Sequence, residues 1–120
     1  MPSVREEFVT ATIEMAKALE DNGCRTKHAC IIVRGNRVIG VGTNLRKSHT
    51  GGGRGTTYHA EFRALKRSNG DSRGAVLYSF RNTQERWSRP CADCAAAAQE
   101  RGIKLMVFTN FLGQLEAERL

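Results

Sequence analysis

The chain has 120 residues, 40% of them apolar and 26% charged, a size and balance that suit one folded domain and exclude a disordered or fibrous chain. It carries 19 basic and 12 acidic side chains, a net charge of +7, and four cysteines. No apolar run is long enough to span a bilayer, and the first residues, Met1 to Glu7, are polar with no signal-like segment. A cytoplasmic setting with no membrane partner is therefore expected, where cysteines act as ligands or core residues rather than disulfides.

Taken in chain order, Ser3-Val4-Arg5-Glu6 reads as a capping box. It opens a helix in which Phe8, Ala11, Met15 and Leu19 recur at helical spacing, and Asn22-Gly23 ends it. Residues 29–34 and 37–42 are short and β-branched and flank Gly35-Asn36, the pattern of a hairpin with a two-residue turn. Residues 44–57 form a loop around Gly51-Gly52-Gly53-Arg54-Gly55. The loop lacks the Gly-Lys-Ser or Gly-Lys-Thr of a P-loop and reads as either a bland mobile loop or a substrate gate.

Thr57 caps a second helix running to about Ser68, stopped by Asn69-Gly70. Residues 75–80 are a strand and 81–89 a polar loop. Pro90 suits the first turn of a third helix, which continues from Cys91 and ends at Gly102. Residues 103–108 are a buried strand, and the tail, 113–120, is expected to form one or two helical turns. The order α-β-β-α-β-α-β-(α) implies an α/β fold. The expected architecture is a three-layer α/β/α sandwich around a mixed sheet of four or five strands, one domain over 1–120.

The charge is unevenly placed. Residues 1–36 hold five basic and five acidic groups, 37–90 hold eleven and three, and 91–120 hold three and four. The excess in the middle attracts nucleotide phosphates or a nucleic acid backbone, unless it is only a soluble basic surface.

Two motifs carry chemistry, His59-Ala60-Glu61 and Pro90-Cys91-Ala92-Asp93-Cys94, each at a helix start. Cysteines three apart on a helix project to one face, and a helix N-terminus favours the thiolate that binds metal. His59 can add a nitrogen to the same ion. Three protein ligands leave the fourth tetrahedral position open for water, the mark of catalytic zinc. Glu61, two residues after His59, lies on a different side of its helix and suits a proton shuttle beside that water. Each motif alone is weak: the cysteines also fit a redox pair, and His59 an ordinary surface histidine. Their joint occurrence is the informative observation. The remaining histidines, His28 and His49, fall outside both motifs.

Together the motifs form the signature of zinc deaminases. From about Phe8 to Asn110, the chain resembles the cytidine deaminase-like superfamily of zinc-dependent deaminases. Within it, the chain looks most like the deoxycytidylate deaminase and tRNA adenosine deaminase branch, which uses one His and two Cys.

The resemblance implies that His59, Cys91 and Cys94 bind Zn2+, and that the metal activates water to attack C4 of cytosine. It implies that Glu61 takes the proton from water, gives it to ring N3, and later protonates the departing amine. Backbone N–H groups near Ala60 and Cys91 would orient the base carbonyl. Asn44 matches the family's Asn after the second strand, which contacts sugar or base.

Where nucleoside deaminases often place a Glu after that Asn, this chain has Leu45-Arg46-Lys47, and Arg46 suits a phosphate better than a bare sugar. Trp87, just before the second motif, either stacks on a base or packs on the domain edge. Tyr78 and Phe80 share a strand face and suit the core. Cys30 suits a buried strand, and Cys24 has no motif. The chain stops soon after Phe108, where the family continues through another helix and strand. A four-stranded sheet, or one completed by a neighbouring subunit, is the expectation, and with it a homo-oligomer.

The function expected is zinc-dependent hydrolytic deamination of a cytosine nucleotide of the dCMP or CMP type. The alternatives are a nucleic acid deaminase, acting on cytosine in single-stranded DNA or adenosine in tRNA, and a non-catalytic zinc or nucleic-acid-binding module. Intact Glu61 argues against the last.

Overall fold

A computed structural model describes residues 4–19, 26–47, 56–68, 70, 72–83 and 86–120, with only the backbone of 45–47 and 56–58. In chain order the elements are Glu6–Lys17 (α1), His28–Arg34 (β1), Arg37–Thr43 (β2), Leu45–Lys47 (β3), Thr56–Tyr58 (β4), Ala60–Arg67 (α2), Val76–Arg81 (β5), Ala92–Glu100 (α3), Leu105–Thr109 (β6) and Leu115–Arg119 (β7). Five strands form one sheet in the order β2-β1-β5-β6-β7. Only β5 and β6 are parallel, and α3 is the crossover between them. The other pairings are antiparallel.

Alternation along the strands divides the core into two layers. Ile31 and Val33 of β1 and Val76, Tyr78 and Phe80 of β5 pack with Val9 and Ile13 of α1. Cys30, Ile32 and Leu77 face the other way, against Ala60, Ala64 and Leu65 of α2 and Ala98 of α3. The α/β/α sandwich with a mixed five-stranded sheet is therefore present. The same parity places His28 of β1 and Ser79 and Arg81 of β5 on the α2–α3 side, since β1 and β5 pair Cys30 with Ser79 and His28 with Arg81.

Helix α3 is built on four consecutive alanines, the residue with the best helix propensity. Helix α2 lies across β2 at the two glycines of that strand, where no side chain separates them. Gly35, at φ 62, makes the turn between β1 and β2 as the sequence implies.

Several expectations are corrected. Helix α1 starts at Glu6 with Arg5 at its N-cap and no side-chain cap, so the capping box does not form; Ser3, Asn22, Gly23 and Cys24 lie outside the described residues. The inward stripe of α1 is Val9, Ile13 and Ala16, while Ala11 is exposed. Residues 44–57 are not all loop: β3 and β4 pair antiparallel, with Arg46 opposite Thr57. Thr57, held in that ribbon, does not cap α2; His59 occupies the N-cap. Pro90 precedes Cys91, the N-cap of α3, and so lies outside the helix. The tail is not helical: β7 pairs antiparallel with β6, Leu105 opposite Arg119 and Thr109 opposite Leu115. Gly113, at φ 76, lies in the turn between them. The chain thereby completes five strands itself, contrary to the expected shortage.

Candidate metal centre and active site

The N-termini of α2 and α3 meet at one end of the sheet. His59 and Cys91 are the N-cap residues, both with extended backbone, and neither side chain caps its own helix. Their side chains turn toward each other instead. His59 Nδ1 lies 3.6 Å from Cys91 Sγ and 3.4 Å from Cys94 Sγ. The three possible ligand atoms all lie within 4.8 Å of one another, and no fourth His, Cys, Asp or Glu joins the group among the described residues.

This donor set fits zinc. Bonds of about 2.3 Å to sulfur and 2.0 Å to nitrogen, at tetrahedral angles, require N···S separations of about 3.5 Å. Both observed separations match. Burial pushes the Cys94 thiol far above the ordinary thiol range, and the nearby Glu61 and Cys91 push it further. A dication would reverse that preference by stabilising the thiolate. Cys91 and His59 are exposed and Cys94 is buried, so the centre is open on one side.

Glu61, in the first turn of α2, is 2% exposed, and its Oε1 meets no hydrogen-bond partner. A buried carboxylate oxygen with no hydrogen bond is costly, and such groups concentrate where chemistry needs them. Glu61, His59 and Cys91 line a cavity of about 280 Å³ whose remaining walls are His28, Asn44, Arg81, Trp87 and Arg89. A second hollow, of about 460 Å³ between Arg73 and Arg101, contains none of these groups.

Each remaining candidate has a definite place. Asn44 follows β2 and stitches it to the start of β1. Its Oδ1 accepts from the His28 amide at 2.9 Å, and its Nδ2 donates to the Thr26 carbonyl at 2.7 Å. Ala60 is fully buried as the first residue of α2. Trp87 is 43% exposed at the cavity wall and stacks on Phe111, ring centroids 4.2 Å apart. The Arg46 side chain lies outside the described part of the structure. Cys30 is fully buried in β1, and Tyr78 and Phe80 are core.

Part of the basic middle segment serves the fold. Arg63 and Arg67 of α2 donate to the Thr43 and Val41 carbonyls of β2, at 2.7 and 3.1 Å. Arg89 pairs with Glu118 of β7 at 2.8 Å. Arg81 is different: its Nε is buried at the cavity and has no hydrogen-bond partner.

Two cavity residues escaped the sequence reading. The sequence puts Arg81 in a polar loop, whereas it is the last residue of β5. His28 has no motif, yet its Nε2 lies 3.4 Å from Glu61 Oε1 and 2.6 Å from Ser79 Oγ. Burial holds the His28 pKa below the usual imidazole range; Glu61 pulls it upward, while Arg81 and His59 lower it further. The available signal was parity with Cys30 and Ile32, but the helix covering that face is not visible in one sequence.

A family model of the cytidine and deoxycytidylate deaminase zinc-binding region matches residues 2–110. No curated protein matches the chain. Among solved structures, cytidine deaminase from Burkholderia pseudomallei is 18% identical with a TM-score of 0.73, the match covering 98% of this chain and 93% of that one. The dCMP deaminase of cyanophage S-TIM5, in complex with dCMP and dUMP, is 20% identical with a TM-score of 0.59, over 87% and 82% of the two chains. RibD of Acinetobacter baumannii is 24% identical with a TM-score of 0.54, over 84% of this chain and 26% of that one. At these identities the likeness is one of fold.

Proposed function

The chain belongs to the cytidine and deoxycytidylate deaminase family, whose zinc-binding region spans its residues 2–110, and we propose that it is a single-domain deaminase of a cytosine nucleotide of the CMP or dCMP type. In this reading His59, Cys91 and Cys94 hold the zinc, as their spacing and donor chemistry support. When bound, zinc supplies the Lewis acidity that brings the pKa of water toward neutrality. Glu61 accepts one proton from the attacking water and delivers it to ring N3, then takes the remaining proton from the oxygen now on C4 and gives it to the amine as the C–N bond breaks, so that water and cytosine become uracil and ammonia. The buried carboxylate beside the three ligands is positioned for that task. The N–H groups at the start of α2, at Ala60, and beside Cys91 orient the base carbonyl. Asn44 touches the sugar or the base.

The observation that carries the nucleotide assignment is Arg81. A guanidinium with a buried, unpartnered Nε at the cavity suits an anionic group on the substrate. Arg46, on the ribbon that follows Asn44, is a second candidate for the same phosphate. The test is ammonia release by purified, zinc-loaded protein from dCMP, CMP, deoxycytidine, cytidine and a cytosine-containing oligonucleotide. The expected order places the monophosphates first. Equal rates on nucleosides would overturn the assignment.

A second reading, deamination within single-stranded nucleic acid, is favoured by the Trp87–Phe111 stack at the cavity wall, since aromatic faces hold unpaired bases. It requires binding that falls steeply with salt, whereas a mononucleotide gives a shallow slope. A cytoplasmic location and a homo-oligomeric state belong to the proposal. Among the described residues no helix is long and apolar enough to cross a membrane.

A further inference from the structure

His28 faces Glu61 with a ring nitrogen whose protonation the surrounding hydroxyls determine. Ser79 and Ser88 are both buried and exchange hydrogen bonds: Ser79 Oγ donates to the Ser88 carbonyl at 2.9 Å, and Ser88 Oγ donates to the Ser79 carbonyl at 2.8 Å. The Thr109 amide of β6 donates to Ser88 Oγ at 2.8 Å and fixes that hydroxyl in turn. A serine hydroxyl has one proton. With its proton committed to Ser88, Ser79 Oγ can only accept from His28 Nε2, 2.6 Å away. Nε2 therefore carries hydrogen. The same nitrogen lies 3.4 Å from Glu61 Oε1, within ion-pair range but outside hydrogen-bond geometry, beside a buried oxygen that has no hydrogen bond. The backbone of His28 is clamped as well, its amide on Asn44 Oδ1 and its carbonyl on the Asn44 amide.

We propose that His28 is a positioning residue for Glu61: its Nε2–H, locked in place by Ser79, faces Oε1 and anchors that end of the carboxylate electrostatically, leaving the other oxygen to move protons. The proposal rests on the deaminase reading and adds to it a residue outside both motifs. Such a contact sets the orientation of a catalytic group without touching the substrate, so its loss lowers turnover rather than affinity.

The test compares wild type, His28→Ala, His28→Gln and Ser79→Ala, each zinc-loaded, with dCMP as substrate and metal content measured in parallel. His28→Ala is expected to lower kcat by about 10–100-fold with KM within about twofold and zinc unchanged. His28→Gln carries an amide N–H at the position of Nε2 and is expected to recover most of the loss. Ser79→Ala is expected to give a smaller loss of the same kind. A rise in KM with kcat preserved, a glutamine variant as poor as the alanine one, or unchanged kinetics in His28→Ala would each overturn the proposal. A second readout needs no activity: the ring 15N shifts of His28 are expected to report the neutral Nε2–H form, and its proton resonance is expected to move in Glu61→Gln. An Nδ1–H ring would overturn the proposal even in an active enzyme. If wild type deaminates none of the cytosine substrates, the deaminase reading fails, and the 15N spectrum still decides whether His28 holds Glu61.

Discussion

Gly42 lies so close to Ala60 that a methyl group at position 42 would overlap the Ala60 carbonyl oxygen and stand 2.6 Å from the Ala64 amide nitrogen. Both obstacles are helix backbone, which cannot rotate aside. The contact presses α2 onto β2 and sets the height at which His59 and Glu61 enter the cavity. Gly42→Ala is expected to lift α2, cost about 3 kcal/mol of stability and weaken zinc retention. Denaturant unfolding and metal analysis of the variant check this. Wild-type stability would show that the helix is free to shift.

Glu61→Gln keeps the size of the side chain and removes the base proposed for the reaction. Turnover is expected to fall by about 10²–10⁴-fold while zinc remains bound, since the three ligands are untouched. Steady-state kinetics with metal quantitation on one sample test both halves of the statement.

Cys91 is exposed at the N-cap of α3 and makes no side-chain cap, so its packing contribution is small. Cys91→Ala is therefore expected to act through the metal, losing zinc and lowering Tm. A chelator should lower the Tm of wild type toward that of the variant and leave the variant unmoved.

Arg81→Ala is expected to raise KM for dCMP about tenfold and to leave cytidine within about twofold, because a charged hydrogen bond to an anion exists only in the first case. Parallel kinetics on the two substrates decide it, and equal effects would place Arg81 outside the phosphate site.

His28 faces Glu61 of α2, Arg81 of its neighbouring strand β5, and the charge of His59, and its net pKa is depressed by burial. The unfolded chain titrates near 6.5 at this residue. Below that pH the unfolded state takes up a proton that the folded state resists. The His28 contribution to stability is therefore complete above about pH 6.5 and is lost as pH falls through the depressed value. Unfolding midpoints at pH 7.5 and 5.5 are expected to differ less in His28→Gln than in wild type.

The parts of the site that sequence made legible are those whose chemistry is local. His59, Cys91 and Cys94 lie at helix starts, where spacing and residue type suffice, and the hairpin at Gly35-Asn36 is a matter of two residues. What stayed hidden depended on pairing across long separations. His28 and Arg81 reach the cavity only because β1 and β5 are antiparallel neighbours in one register. Thr57 reads as a cap because nothing nearby in the sequence shows that the 45–47 segment pairs with it. The tail, with its alternating Leu115-Glu116-Ala117-Glu118-Arg119, carries residues that suit a helix in isolation. The open edge of β6 overrides that preference, as tertiary pairing commonly does.

The β7 pairing has a practical side. Glu118 grips Arg89, a wall of the cavity, and the Leu120 amide is bound to the Lys104 carbonyl. Strand β7 thus braces the rim of the cavity. Any strain on β7 would therefore pull on Arg89 and change the shape of the cavity mouth.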